Sequence, residues 1–188
     1  MATTATTISE QEYRELAFND YQTKWELWDG VLVEKPGTSV LHDDMANFLG
    51  FLLQSQLNRD AFHIQVQCAK LRYTARNDFI PDVAVIPTGL VLPRWGDPMA
   101  FNDYSDPLQL VVEIWSRTTG DYDFAARLPV YRQRGDREIM YIQPYEPTLR
   151  AWRRQLDGTY VEEVYRGGTI PVLSLPGVTI DFDALLKG

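Results

Sequence analysis

Ile80-Pro81-Asp82-Val83-Ala84-Val85-Ile86 and, further along, Leu110-Val111-Val112-Glu113-Ile114-Trp115 decide how this chain is read. Each places a carboxylate among apolar β-formers, where an unpaired charge is expensive and normally has a cation partner. Two kinds of partner fit. Arginines or backbone amides would make Asp82 and Glu113 half-buried structural acids. A hard divalent ion such as magnesium or manganese takes carboxylate, carbonyl and water oxygens, and the Ile114 carbonyl would then be a third ligand. The two strings alone leave both readings open.

Outward from these strings, the chain reads as alternating strands and helices. Ser9 followed by Glu12 is a capping-box pattern that opens a short helix carrying Tyr13, Leu16 and Ala17. Trp25-Glu26-Leu27-Trp28 and Val31-Leu32-Val33-Glu34 flank Asp29-Gly30, which suits a two-residue hairpin turn. Met45, Phe48, Leu49, Leu52, Leu53 and Leu57 recur at helical spacing and predict the longest helix, from about Leu41 to Asn58. Phe62 to Tyr73 and Phe79 to Ile86 read as neighbouring strands. Between 87 and 107, Pro87, Gly89, Pro93, Gly96, Pro98 and Pro107 exclude long elements and suggest a loop or lid. A helix follows from Asp121 to about Arg134, in which Pro129 should kink or interrupt the turn. Strands near Glu138 to Gln143, Thr148 to Arg154 and Tyr160 to Tyr165 and a last helical turn from Asp181 to Leu186 complete the pattern. It predicts a flexible tail over residues 1–7 and a single α/β domain over 8–188.

Hydrophobic residues make up 45% and charged residues 23% of the 188, which is a profile that folds. The formal charge of −8 argues against a protein that coats nucleic acid non-specifically, since that rests on Lys and Arg neutralising phosphates. A local basic patch such as Arg150, Arg153 and Arg154 can coexist with an acidic total. The single cysteine, Cys68, excludes an intrachain disulfide or a cysteine zinc cluster and reads as a small core residue. Met1 to Thr7 has no basic start or apolar run and no segment is long enough to span a membrane, so a cytoplasmic location is expected.

Trp25-Glu26-Leu27-Trp28-Asp29-Gly30, Pro81-Asp82, Val112-Glu113-Ile114-Trp115-Ser116, Arg127-Leu128-Pro129-Val130-Tyr131 and the terminal Leu175 to Asp183 segment resemble, in order and spacing, the Uma-two family of restriction-endonuclease-like proteins. The resemblance implies a PD-(D/E)XK nuclease fold, a mixed sheet between helices, with magnesium or manganese bound by Asp82 and Glu113. It adds Glu26 as an acidic residue from the hairpin, DNA as substrate and a homodimer as the assembly. Glu26 alternates with the core-facing positions of its strand, so solvent exposure is its plain alternative.

That family carries its catalytic lysine on the helix after the glutamate strand, and the wider superfamily often has it two residues beyond the glutamate. Here Arg127 and Trp115 stand at those places. Trp115 faces the same side as Glu113 but cannot act as a base. Arg127 can stabilise developing phosphate charge, or it can simply pair with Asp123, four residues earlier on the same helix. His42 reads as a capping or surface residue and His63 as structural. The tryptophans and tyrosines include possible base-stacking groups, although Trp25 and Trp28 serve equally as packing.

Two functions remain in contention. One is a metal-dependent endonuclease acting on DNA with Glu26, Asp82, Glu113 and Arg127. The other is a degenerate nuclease-fold module used for binding or assembly. A glycosidase-type acid pair ranks behind both.

Overall fold

Ser9 accepts from the Glu12 amide while the Glu12 side chain returns to the Ser9 backbone, so the expected capping box starts helix α1 (Glu10–Asn19). The computed structural model describes residues 7–20, 22–117 and 120–187, and for residues 121–123 the backbone alone. Residues 1–6, most of the expected tail, lie outside the described residues, whereas Thr7 bridges to Val31. Asp29 and Gly30 take φ of 47° and 83°, which closes β1 (Trp25–Trp28) onto β2 (Val31–Glu34) as the Asp-Gly turn predicts. Ser39 caps the longest helix, α2 (Val40–Gln56).

The expected strands 62–73 and 79–86 each divide. β3 (Phe62–Val66) and β4 (Lys70–Tyr73) are separated by Gln67, whose φ is 53°, while β5 (Asn77–Phe79) and β6 (Val83–Pro87) are separated by Pro81. The two breaks lie opposite each other, with the Gln67 amide donating to the Asp82 carbonyl at 2.9 Å. One hairpin thus passes from a large sheet, where β3 pairs with β6, to a small one, where β4 pairs with β5. Asp82 sits at that crossing. The positive φ at Gln67 also turns Cys68 outward, so it is exposed rather than a core residue.

The breaker-rich stretch holds only α3 (Thr88–Val91), a single 3-10 turn and β7 (Asp103–Tyr104). Then come β8 (Leu110–Ile114), α4 (Gly120–Arg134), β9 (Glu138–Gln143), β10 (Thr148–Arg154), β11 (Tyr160–Tyr165), β12 (Thr169–Pro171), β13 (Thr179–Asp181) and α5 (Phe182–Leu185). Pro129 does not interrupt α4. Buried Phe124 and Arg127 before it and buried Tyr131 after it anchor both turns, compensating for the missing amide.

The large sheet has the order β11-β10-β9-β8-β6-β3 and is mixed, since β8 and β9 run parallel while its other pairs are antiparallel. A five-stranded sheet of order β2-β1-β5-β4-β7 and the β12-β13 pair complete the α+β architecture, with helices flanking the sheets. Both faces of the large sheet are covered, which is why its central strands read as continuous apolar runs. Val83, Val85, Leu110, Val112, Met140 and Ile142 pack against Met45, Leu49 and Leu53 of α2. Ala84, Ile86, Val111, Ile139 and Tyr141 turn the other way, toward Phe79, Phe124 and Tyr131. Strand period two puts Glu113 on the same side as Val111 and hence toward α4. No helix among the described residues is long and apolar enough to cross a membrane.

Candidate active site

The five residues expected at the site come together. Asp82, Glu113, Ile114 and Arg127 line one cavity, and Glu26 joins it from behind through Arg127. All are buried, Glu26 at 1% exposure included, so the solvent-facing alternative for Glu26 does not hold.

Asp82 is the most heavily held acid. Its Oδ1 accepts from Lys35 Nζ at 2.9 Å, and its Oδ2 from the Ile114 amide at 2.7 Å and lies 3.1 Å from His42 Nε2. Burial alone would raise its pKa, but Lys35, the His42 hydrogen bond and charge, and the Ile114 amide outweigh it and keep the carboxyl ionised well below the usual range. Lys35 follows β2 and also donates to the Ile80 carbonyl at 2.6 Å. His42 is buried rather than a surface residue. Burial disfavours its charged form, yet Asp82 and Asp43 hold its pKa above the ordinary value.

Glu113 is held from the other side. Arg127 Nη1 lies 3.0 Å from both of its carboxylate oxygens, and Tyr131 Oη donates to Oε1 at 2.5 Å. Burial and the Asp82 charge raise the Glu113 pKa against the opposing pull of Arg127. Arg127 Nη2 donates to Glu26 Oε2 at 2.8 Å, and Glu26 Oε1 accepts from the Ile80 amide at 2.8 Å. Trp28 and Phe79 present their rings to the guanidinium. Arg127 is thus a buried bridge rather than a surface residue, and the Asp123 side chain, its expected partner, lies outside the described residues.

Can this donor set hold a divalent ion? Among the described residues no group of three His, Cys, Asp or Glu side chains is placed to do so. Magnesium does not require one, since it is commonly bound through one or two carboxylates, water and substrate phosphate. Each carboxylate oxygen has two acceptor sites. Among the described partners, Asp82 Oδ1 serves Lys35 alone and Glu113 Oε2 serves Arg127 alone. The Ile114 amide points to the Asp82 side, and a strand residue's carbonyl points the same way as its amide. The cavity between them holds about 20 Å³, room for one water-sized particle. Asp82, Glu113 and Ile114 all line that space, and carboxylate and carbonyl oxygens are the donor types a hard ion takes.

Lys35 and His42 are the residues that sequence reasoning missed. His42, Met45, Ala46 and Leu49 lie at spacings of three, four and seven, so the buried face of α2 carried a signal for it. Lys35 carried no local signal. Of the basic patch expected at Arg150, Arg153 and Arg154, two members are ion-paired, Arg150 with Glu162 at 2.7 Å and buried Arg153 with Glu138 at 2.8 Å, while Arg154 is exposed.

A mixed sheet between helices, with Asp82 just before β6 and Glu113 near the end of β8 lining one cavity, is the architecture of the restriction-endonuclease-like class. The chain belongs to the Uma2 family, described as "Putative restriction endonuclease", which matches residues 10–183. Among solved structures, it is similar to one described as "a putative nuclease belonging to DUF820 from Anabaena variabilis". The TM-score is 0.79 at 16% identity, over 96% of this chain and 98% of that one. No curated protein matches.

Proposed function

We propose that this chain is a divalent-metal-dependent endonuclease that hydrolyses DNA phosphodiester bonds, acting in the cytoplasm as one domain over residues 8–188 and as a homodimer. The observation that carries the reading is the convergence of Asp82, Glu113 and the Ile114 carbonyl with Lys35 on one cavity at the ends of β6 and β8. Magnesium or manganese, when bound, supplies activation of water and neutralisation of phosphate charge.

The chain's own residues divide the remaining work. Asp82 and Glu113 present oxygen donors and stay fixed by their cations. A lysine ammonium has three hydrogens, and two on Lys35 go to Asp82 and Ile80. The third is available to a phosphate oxygen in the cavity it lines. Arg127 lines the same cavity but commits both terminal nitrogens to Glu113 and Glu26. Its part is to hold those acids in place and to add positive charge behind them, with Lys35 as the phosphate-facing cation.

A second reading is a module that keeps the fold without chemistry. It is favoured by the same ion pairs, because Lys35, His42 and Arg127 already neutralise the acids without any bound metal. Incubation with plasmid, linear and single-stranded DNA plus magnesium or manganese separates the two. Cleavage that Asp82→Ala and Glu113→Ala abolish is expected; no cleavage by wild type favours the module, and equal cleavage by the variants overturns the assigned site.

A further inference from the structure

β8 and β9 run parallel, so their carboxyl ends emerge at the same end of the sheet, with Ile114 opposite Ile142. Trp115 directly follows Ile114, and Tyr145 follows Ile142 by three residues, so both aromatic groups lie beyond that shared strand end. Trp115, whose amide donates to the Ile142 carbonyl at 2.8 Å, lines the same cavity as Asp82, Glu113 and Lys35. Tyr145, in the turn between β9 and β10, sets its ring edge-on to that of Trp115, with centroids 5.3 Å apart. Pro144 and Pro147 bracket the turn and restrict its backbone. Tyr145 is nevertheless 56% exposed, so much of a large ring faces solvent next to Trp115, which itself lines the cavity of the carboxylates.

The charge distribution disfavours intact duplex. A duplex footprint rests on many Lys and Arg contacts to phosphate, whereas this chain carries −8 overall and has Arg150 and Arg153 tied up in ion pairs. Stacking of an unpaired base on an aromatic ring does not depend on the protein's charge and tolerates any base. A phosphodiester seated at Asp82 and Glu113 would bring its neighbouring base to the Trp115–Tyr145 pair.

We infer that Trp115 and Tyr145 form a base-stacking ledge at the mouth of the site, so that its substrate is single-stranded DNA rather than intact duplex. This rests on the nuclease reading for its chemistry but not for its binding. Tyr145, exposed and in a turn, can be replaced without disturbing the core.

The test uses one labelled oligonucleotide, single-stranded and annealed as a blunt duplex, with manganese and with wild type, Tyr145→Ala and Tyr145→Trp. Wild type should cut the single strand with kcat/KM at least about tenfold above the duplex. Tyr145→Ala should lose about tenfold on the single strand, chiefly through KM, and Tyr145→Trp should recover it. In parallel, a single strand carrying 2-aminopurine is bound in calcium, and its emission should be quenched by wild type more than by Tyr145→Ala. If nothing is cut but the quenching depends on Tyr145, the nuclease reading fails and the ledge stands. If DNA is cut but duplex and single strand react alike, or Tyr145→Ala changes neither kinetics nor quenching, the ledge is overturned and the nuclease reading stands.

Discussion

Arg127 grips Glu113 through a single nitrogen, with Nη1 3.0 Å from each carboxylate oxygen, which leaves Nη2 to reach Glu26 Oε2 at 2.8 Å. The guanidinium thereby joins the hairpin strand β1 to the central strand β8 through α4. Removing one member of a buried charge cluster leaves the others uncompensated, at a cost of about 3–5 kcal/mol. Arg127→Met should lose stability on that scale in urea denaturation, and Arg127→Lys less, since an ammonium can still face one acid. A methionine variant within about 0.5 kcal/mol of wild type would show that the bridge is not structural.

Lys35 should matter to turnover. Replacing it by methionine removes the ammonium that faces the cavity while His42 and the Ile114 amide continue to hold Asp82. Loss of a donor aimed at developing charge typically costs about a hundredfold in kcat. Lys35→Met should show that loss with partial recovery in Lys35→Arg, measured as initial rates on DNA with manganese. Rates within about twofold of wild type would exclude this role for Lys35.

Asp78, which does not line the cavity, gives a pH signature. Burial, only partly offset by Lys70 and reinforced by Asp103 and Glu26, pushes its carboxyl up to about 7. Its Oδ1 has no hydrogen-bond partner among the described residues. The unfolded chain loses this proton near pH 3.9 and the folded chain keeps it to about 7, so this group's contribution falls as pH rises through that window. Asp78→Asn copies the protonated form. Its thermal stability relative to wild type should climb between about pH 4 and 7 and then level off, with an upper bound of roughly 4 kcal/mol. A stability difference independent of pH would contradict the shift.

At Gly50, α2 packs tightly against β3 of the large sheet. A Cβ built there would lie 2.7 Å from Val66 Cγ2, so Gly50→Ala should destabilise the fold by about 1–3 kcal/mol despite alanine's better helix propensity. Val66→Ala in the same chain should recover part of that loss. A fully additive double mutant in chemical denaturation would place the cause elsewhere.

Much of the fold was legible because its signals are local. The Asp-Gly turn, the α2 stripe and strands β9, β10 and β11 follow from turn chemistry and periodicity, and each appears where the sequence places it. The division of 62–73 and 79–86 between two sheets was not legible. A positive φ at Gln67 and a hydrogen bond to Asp82 produce it, and neither has a composition signature. The same limit applies to the site. Asp82 and Glu113 stood out as charges among apolar β-formers, and Ile114 came with them. Lys35 meets Asp82 across 47 residues of sequence, from the connection between β2 and α2, which carries no motif that marks it. Arg127 was visible as a departure from the lysine pattern, while its two-acid bridge exists only in three dimensions.

The central claim is that Asp82 and Glu113 form the seat of a divalent ion, and calorimetric titration of manganese into the purified protein tests it most directly. Saturable binding of about one ion per chain that Asp82→Ala abolishes is the predicted result. No heat of binding at millimolar manganese, or binding that survives Asp82→Ala undiminished, would contradict it and leave the ion-paired cluster as a structural element.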